Sequence, residues 1–550
     1  MGGVPALDGA LFARVAVVVT AVKALLIPAY HSTDFEVHRN WLAITHSLPL
    51  RQWYTEATSP WTLDYPPLFA WFERLLAVPA ARVDPDMLRV DNLDYDPHHV
   101  VVFQRATVIV SDLLLVAAAW RALAALPNSK ARDAAGWLLV LGTVCSPGLL
   151  MVDHIHFQYN GALLGLFLWS VLALEAGRDI LGGVLFAALL NAKHIFLYAA
   201  PAYFVYLLRH YCFPPAPGAL GPLGLRISSR GCVRLLSLGV PVALVFAASL
   251  GPFLALGQGV QLLARLFPFR RGLCHAYWAP NVWAVYAAAD KVAAAAFVAA
   301  GKALPDPSGR AAQDIPSGGA GCPLRLLPDV GPGATFGLTM ISMTPALVAL
   351  WRDPQPKRFL RCVTYCMMCS FMLGYHVHEK AALMVSVPLA VIVARIVAGD
   401  SMDGAGAGRR GPAKGTSSKG KFSGGEALWA AWPLLLATVV MHAAQWPLLF
   451  QQREYPIKIG LVAAHALLAW SVARESGLTT RVTERVGWIG RLASAGMRAV
   501  SIGIVPLEMV CLVLRNTAYG TKLPFLELML TSLHCAAGML IAWAVMLATL

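Results

Sequence analysis

The 550-residue sequence predicts an all-α protein that crosses a membrane many times, and three observations carry that expectation. First, 57% of the residues are hydrophobic and only 13% are charged. Soluble chains carry about 25% charged residues, so this one has too few to cover a water-facing surface of its size. Second, long Leu-, Ala- and Val-rich runs tile nearly the whole chain. A hydrocarbon core about 30 Å thick needs about 20 such residues of helix, and only helices or closed barrels can span it. The runs are continuous rather than alternating, which selects helices. Third, the net charge of +14 sits in short basic segments between the runs. That is the pattern of loops retained in the cytosol, not a nucleic-acid footprint.

The runs read as about fourteen spans: 8–30, 101–126, 133–152, 157–176, 180–196, 198–212, 235–257, 333–351, 358–375, 381–398, 428–449, 456–474, 497–515 and 524–549. The first, Leu7–Tyr30, is too long for the apolar region of a cleaved signal and is expected to remain as an anchor. With this count, four basic clusters fall on one side, taken as cytosolic: Lys130 with Arg132; Arg226, Arg230 and Arg234; Arg352, Lys357 and Arg358; and Arg409–Lys421. Asn281–Ala300 is Ala-rich enough to be a span, but counting it would move Arg352–Arg358 across the membrane. A lumenal or membrane-surface helix is expected there. Asp403–Gly425 is rich in Gly, Ser and Lys and reads as a flexible linker. The expected division is a transmembrane module over 1–400, a cytosolic linker over 401–427 and C-terminal transmembrane helices over 428–550. The spacing of Cys362, Cys366 and Cys369 is helical without a His partner and reads as apolar packing. Only Cys274 and Cys322 fall in loops open to oxidation.

The opposite side receives the loop 31–100, which carries Asp34, Glu36, Glu56, Asp64, Glu73, Asp84, Asp86, Asp91, Asp94 and Asp96 among Trp41, Trp53, Trp61 and Trp71. Acids among aromatics suit a surface helix that binds a polar ligand at the membrane face. The competing reading is a solvated linker with interfacial anchors. A helix starting near Thr33 buries Phe35, Trp41 and Leu42 and places Asp34 and Glu36 at its N-terminal end, where the dipole favours them. Either they only cap that helix, or one is a general base that takes the proton of an acceptor hydroxyl. Asp64-Tyr65-Pro66-Pro67 reads as a turn, since Pro66 restricts Tyr65 to extended backbone; structural corner and substrate contact both remain open.

Arg265, Arg270 and Arg271 lie on this same side, against the basic-inside trend, and their planar forks suit an anion such as phosphate. His376, His378, Glu379 and Lys380 crowd the mouth of a span. A snorkelling lysine is one account; a charged cluster at membrane depth is also a functional site by default. His154-x-His156 and His376-x-His378 do not place both rings on one helix face, so no metal is expected. Asp153 and His156 line the cavity in this reading, and Lys193 and His194 either line it or mark a tight turn.

Several of these motifs occur together in one known family. Ser32-Thr33-Asp34-Phe35-Glu36-Val37-His38-Arg39-Asn40-Trp41-Leu42, then Trp53-Tyr54 and Trp61-Thr62-Leu63-Asp64-Tyr65-Pro66-Pro67, resemble the first lumenal loop of the endoplasmic-reticulum α-1,3-glucosyltransferases that use dolichyl phosphate glucose. Asp153–Gly161, Phe267–Gly272 and His376–Ala381 resemble the same family in order, so the likeness runs from about residue 30 to 400. It implies a GT-C fold with amphipathic lumenal helices, inversion of a β-linked donor to an α product, and no required metal or other cofactor. It also implies an endoplasmic-reticulum membrane location, a lumen-facing site, and two lipid substrates, dolichyl phosphate glucose and a lipid-linked oligosaccharide.

Position by position, the resemblance makes Asp34 the catalytic base, with Glu36 and Arg39 as its neighbours. Asp64, Tyr65, Asp153, His156, Arg270, Arg271, His378 and Lys380 become substrate-binding candidates, with His378 and Lys380 on the donor phosphate and Glu379 as their structural partner. The wording of the first loop is most similar to the members that add a second glucose, to Glc1Man9GlcNAc2-diphosphodolichol. A member adding the first glucose, or a mannosyltransferase of the same fold, is the near alternative. A transporter or flippase is the distant one, and the sequence lacks the internal repeat of spans that it would favour. A membrane scaffold would leave the ordered acid and base clusters unexplained.

Overall fold

The computed structural model describes residues 4–215, 227–268, 272–275, 278–304, 324–399, 428–449, 451–478, 488–515, 517 and 525–550. Among the described residues the only regular elements are helices. Helix α1 (Gly9–Leu25) starts where the Asp8 carboxylate accepts from Leu11 N at 2.7 Å. Helix α2 (Thr33–Ser47) starts where expected, with Ser32 as its cap, and buries Phe35, Trp41 and Leu42. Helix α3 (Pro67–Val83) opens on a proline, whose missing N–H costs nothing in a first turn. Helices α4 (His98–Ser111) and α5 (Leu113–Ala124) form one apolar stretch, followed by α6 (Arg132–Gly142). Then come α7 (Asn160–Glu175), α8 (Asp179–Ala192), α9 (Ala200–Leu207), α10 (Ser229–Ala255) and the short α11 (Gly259–Leu266). Helices α12 (Val282–Ala299), α13 (Pro332–Arg352), α14 (Pro356–Leu373) and α15 (Leu383–Val397) precede the last four: α16 (Leu428–Ala443), α17 (Tyr455–Glu475), α18 (Trp488–Arg515) and α19 (Leu526–Ala548).

By length and composition, nine described helices can cross a membrane, fewer than the expected fourteen. The difference lies in short elements. Helix α1 has 17 residues, α7 and α16 have 16 each, α8 has 14 and α9 has 8. Helix α14 carries Lys357, Arg358 and Arg361 in its first turns. Helix α12 is long and apolar enough for a span, as its Ala-rich sequence suggests. It packs along α19 and α14, and the Asn281 amide before it donates to Phe371 O at 3.1 Å. The linker 401–427 and Cys322 lie outside the described residues; Cys362, Cys366 and Cys369 are buried along α14 as expected.

Two large hydrophobic cores result, beside a small cluster of Trp278, Ala284 and Ala287. The larger joins α5–α9 and α13–α19. The second lies under the loop 31–100, where α2 and α3 close over Phe157, Tyr159, Phe253 and Leu262. The loop is therefore a packed cap on the helices rather than a solvated linker.

Between α6 and α7 the helix widens to i→i+5 bonding over Leu150–Phe157, a form that recurs at functional sites. It ends at Phe157, whose φ of +89° is strained for a residue with a Cβ. Buried ring contacts to Phe35 and Tyr159, at 5.2 and 5.8 Å, hold it there. The buried Arg105 guanidinium knots this segment to the end of the first helix, donating to Tyr30 O at 2.9 Å, to Ile155 O at 3.0 Å and to His154 O.

Beneath it, the buried Asp112 carboxylate takes Lys23 Nζ and His154 Nε2, each at 2.7 Å. A Cβ on Gly161 would lie 2.1 Å from Asp112 Oδ1. Gly161→Ala is therefore expected to cost about 1–3 kcal/mol or more, because the displaced carboxylate carries both partners. A lowered melting temperature in detergent would register it, and an unchanged one would contradict this packing.

Candidate active site

Asp34 stands in the first turn of α2, aimed by its cap. Ser32 Oγ accepts from Asp34 N at 3.1 Å and donates to His156 O at 2.7 Å, so the helix start is tied to the widened segment. Asp34 Oδ2 then receives Lys380 Nζ at 2.7 Å and Gln158 Nε2 at 2.7 Å, with His156 Nε2 at 3.3 Å. Lys380 Nζ is also 3.2 Å from His156 Nε2. The Asp34 and Lys380 side chains are 22% and 11% exposed, so the pair is reachable but largely desolvated. Burial on its own raises the Asp34 pKa. The Lys380 ammonium and the His156 imidazole overcome it, and hold the carboxyl well below the usual range. The carboxylate is thus in its proton-accepting form at neutral pH.

Residues 346 positions apart in the chain meet here, and three expected site residues, Asp34, His156 and Lys380, form one contact cluster. Asp153 lies one step away. It is buried, and its oxygens accept from Asn160 Nδ2 at 2.8 Å and Gly161 N at 2.6 Å. Tyr65 packs at 4.9 Å from the Trp41 ring, and its carbonyl accepts from Tyr54 OH at 2.7 Å. Burial and then the Asp64 charge push its phenol well above the ordinary range. Lys193 Nζ sits 5.1 Å above the Tyr65 ring and 2.9 Å from Asn160 Oδ1, so it joins the polar cluster around Asp153.

Glu36 and Arg39 do something different. The fully buried Arg39 spans both Glu36 oxygens at 2.8 and 2.7 Å and donates to Met87 O and Arg89 O at 2.9 and 3.0 Å. This fork locks α2 onto the chain at 87–89. Arg265 is likewise structural, with its guanidinium on Tyr54 O at 3.1 Å and Glu56 O at 3.2 Å. Arg270 and Arg271 lie outside the described residues.

The segment 272–275 runs beside 374–378. His376 N donates to Leu273 O at 2.9 Å and its ring to Gly272 O at 3.0 Å. This brings up His275, which no spacing in the sequence had singled out. Its ring centroid is 3.5 Å from that of His378, and the buried Glu379 carboxylate is shared between them, 3.0 Å from His378 Nδ1 and 3.5 Å from His275 Nδ1. Burial, opposed by Glu379, pushes His378 down to about 3. Among the described residues, His275, His378 and Glu379 are the one group with metal-ligand spacing, their atoms lying within 4.8 Å of each other. Two Asp-x-Asp pairs stand in the loop, Asp84/Asp86 and Asp94/Asp96. Asp84 is occupied by His99 at 2.6 Å, Tyr95 OH at 2.8 Å and Asp86 N at 2.9 Å.

The arrangement offers an ionised carboxylate beside a lysine, where the start of α2 meets the widened segment and the chain before α15. It can accept a proton from a hydroxyl while a cation stands ready for a neighbouring anion.

Residues 19–400 and 427–546 match the model of the ALG6, ALG8 glycosyltransferase family. A Bos taurus protein named dolichyl pyrophosphate Glc1Man9GlcNAc2 alpha-1,3-glucosyltransferase is 44% identical, over 97% of this chain and 94% of its own. Proteins of the same name from Mus musculus and Arabidopsis thaliana are 43% and 40% identical, over 97% and 96% of this chain and 94% and 95% of theirs.

Proposed function

This chain belongs to the ALG6, ALG8 glycosyltransferase family, and we propose that it transfers glucose from dolichyl phosphate glucose to Glc1Man9GlcNAc2-diphosphodolichol, forming an α-1,3 linkage. The relatives' shared name supports the acceptor, and the Asp34–Lys380 pair is the observation that carries the chemistry. The chain is a multi-pass membrane transferase of the GT-C type. We place its site on the lumenal side of the endoplasmic reticulum, where the basic clusters do not lie.

In the proposed step Asp34 takes the proton of the acceptor hydroxyl as that oxygen bonds to the anomeric carbon. The bond from that carbon to the phosphate oxygen breaks, and its electron pair leaves with dolichyl phosphate. One displacement from a β-linked donor gives the α product. Lys380, His378 and Arg271 hold the departing phosphate, and in a partly dry site such fixed cations and donors supply the larger share of the stabilisation. Asp153 and His156 brace Asp34, and Asp64 and Tyr65 shape the cavity wall. No metal enters this step. The His275, Glu379 and His378 group is read as donors held by one another, so EDTA is expected to leave turnover unchanged.

A cellular test follows. Cells lacking their own second glucosyltransferase should accumulate lipid-linked Glc1Man9GlcNAc2, and expressing this chain should clear it into more highly glucosylated species. If the intermediate persists at equal protein level, the acceptor assignment is wrong. If instead the chain relieves cells blocked at Man9GlcNAc2, the step is the first glucose.

A further inference from the structure

We propose that Gln158 and Asn160 are positioning residues that aim the Asp34 carboxylate, a role that rests on Asp34 being the base of the proposed transfer. Among the described residues, every side-chain contact to the Asp34 carboxylate ends on Oδ2: Lys380 at 2.7 Å, Gln158 at 2.7 Å and His156 at 3.3 Å. Oδ1 is therefore the oxygen presented to the acceptor hydroxyl.

An amide can face either way round, and here its direction is dictated step by step. Lys193 Nζ can only donate, and it lies 2.9 Å from Asn160 Oδ1. That turns Asn160 Nδ2 toward Asp153 Oδ1 and Gln158 Oε1, both at 2.8 Å. With its oxygen occupied, Gln158 must point Nε2 at Asp34. The chain of donors runs in one direction, from Lys193 through Asn160 and Gln158 to the base. Gln158 is 7% exposed, so water does not readily replace it.

The amide also does what the lysine cannot. In the proposed reaction Lys380 faces two anions, the carboxylate and the departing phosphate. Gln158 serves the carboxylate alone and, being neutral, holds it without adding a charge that weakens it as a base. The charged and titratable groups facing Asp34 are Lys380 and His156, with Tyr65 and Lys193 within electrostatic reach.

The test uses the full-length protein purified in detergent. Q158L is expected to lower kcat about tenfold to a hundredfold through loss of alignment. The donor KM should stay within about twofold, because the amide is engaged with Asp34 and Asn160. The acid limb of the kcat–pH profile should move upward, since a carboxylate that loses a donor holds its proton more tightly. N160A acts through the same amide, so Q158L/N160A should be no slower than Q158L alone. A merely structural role would lower the melting temperature and leave the acid limb in place, and that result overturns the proposal.

Wild-type kcat and acid limb in folded Q158L, alongside an inactive D34N, overturn the positioning role and leave the base standing. A fully active D34N overturns the base itself. Should Q158L fail to fold, Q158E replaces the amide nearly atom for atom, removing the donor and adding a repelling charge. It should lose more than about a hundredfold in kcat, and wild-type turnover in Q158E would overturn the proposal.

Discussion

Asp34→Asn is expected to leave the protein folded and to reduce transfer by at least about a thousandfold, the upper part of the range for a positioned general base. The amide keeps the shape and can still meet Gln158 and His156, but it cannot accept the hydroxyl proton. The substitution also removes the counter-charge of Lys380, 2.7 Å away and 11% exposed, so it costs some stability as well, moderated by the His156 Nε2 that Lys380 keeps at 3.2 Å. Turnover and stability should still separate in size: the melting temperature falls, but kcat measured on the folded protein collapses by far more than the loss of folded protein explains. Asp34→Glu offers the complementary check. It restores a carboxylate but moves it by one methylene, and a misplacement of about 1 Å costs about a hundredfold. Substantial transfer by D34N would remove Asp34 as base. Equal losses of turnover and folded protein would make it structural.

Arg39→Ala is expected to act in the opposite manner, through stability. Arg39 is fully buried and bonds both Glu36 oxygens and two carbonyls at 87 and 89. Removing it strands the Glu36 carboxylate, 7% exposed, without a counter-charge, at a cost of about 3–5 kcal/mol. Lysine is not a rescue, because a single ammonium cannot reproduce the fork. A double variant, E36L/R39M, should be markedly more stable than R39A, because it removes both charges together. The readouts are the melting temperature of each variant and the donor and acceptor KM. Were Arg39 instead a substrate contact, KM would rise while the melting temperature stayed at the wild-type value.

These residues show what a sequence makes legible. The start of α2 was readable because its signals are local: acids in the first turn, and Phe35, Trp41 and Leu42 on the inward side. Asp34, His156 and Lys380 could be named from three separate motifs, yet only the fold brings them within 3.3 Å of one another. Glu36 and Arg39 could be named only as neighbours of Asp34, because the attachment that gives the pair its role lies 48 residues away. No local pattern distinguishes such a lock from a substrate contact. His275 stands in an irregular segment whose pairing with 374–378 is wholly tertiary, so nothing in its neighbours pointed to it. Gln158 and Asn160 lay inside a recognised motif without an assignable role, because amide direction is fixed by partners as remote as Lys193. Span boundaries were less legible than span existence: a continuous apolar run hides that α1, α7, α8 and α16 are helices of 14 to 17 residues and that the chain breaks after Ala192, features that show only in the backbone.

The central claim, glucose transfer to a glucose-capped lipid-linked acceptor by a metal-free carboxylate mechanism, is tested most directly by one assay. Purified protein is given synthetic dolichyl phosphate glucose and acceptors ending either in mannose or in one α-1,3-linked glucose, with EDTA in half of the reactions. Transfer to the glucose-capped acceptor alone, at equal rates with and without EDTA, is the predicted result. Transfer to the mannose-ending acceptor, or loss of activity in EDTA that added divalent ions restore, would contradict it.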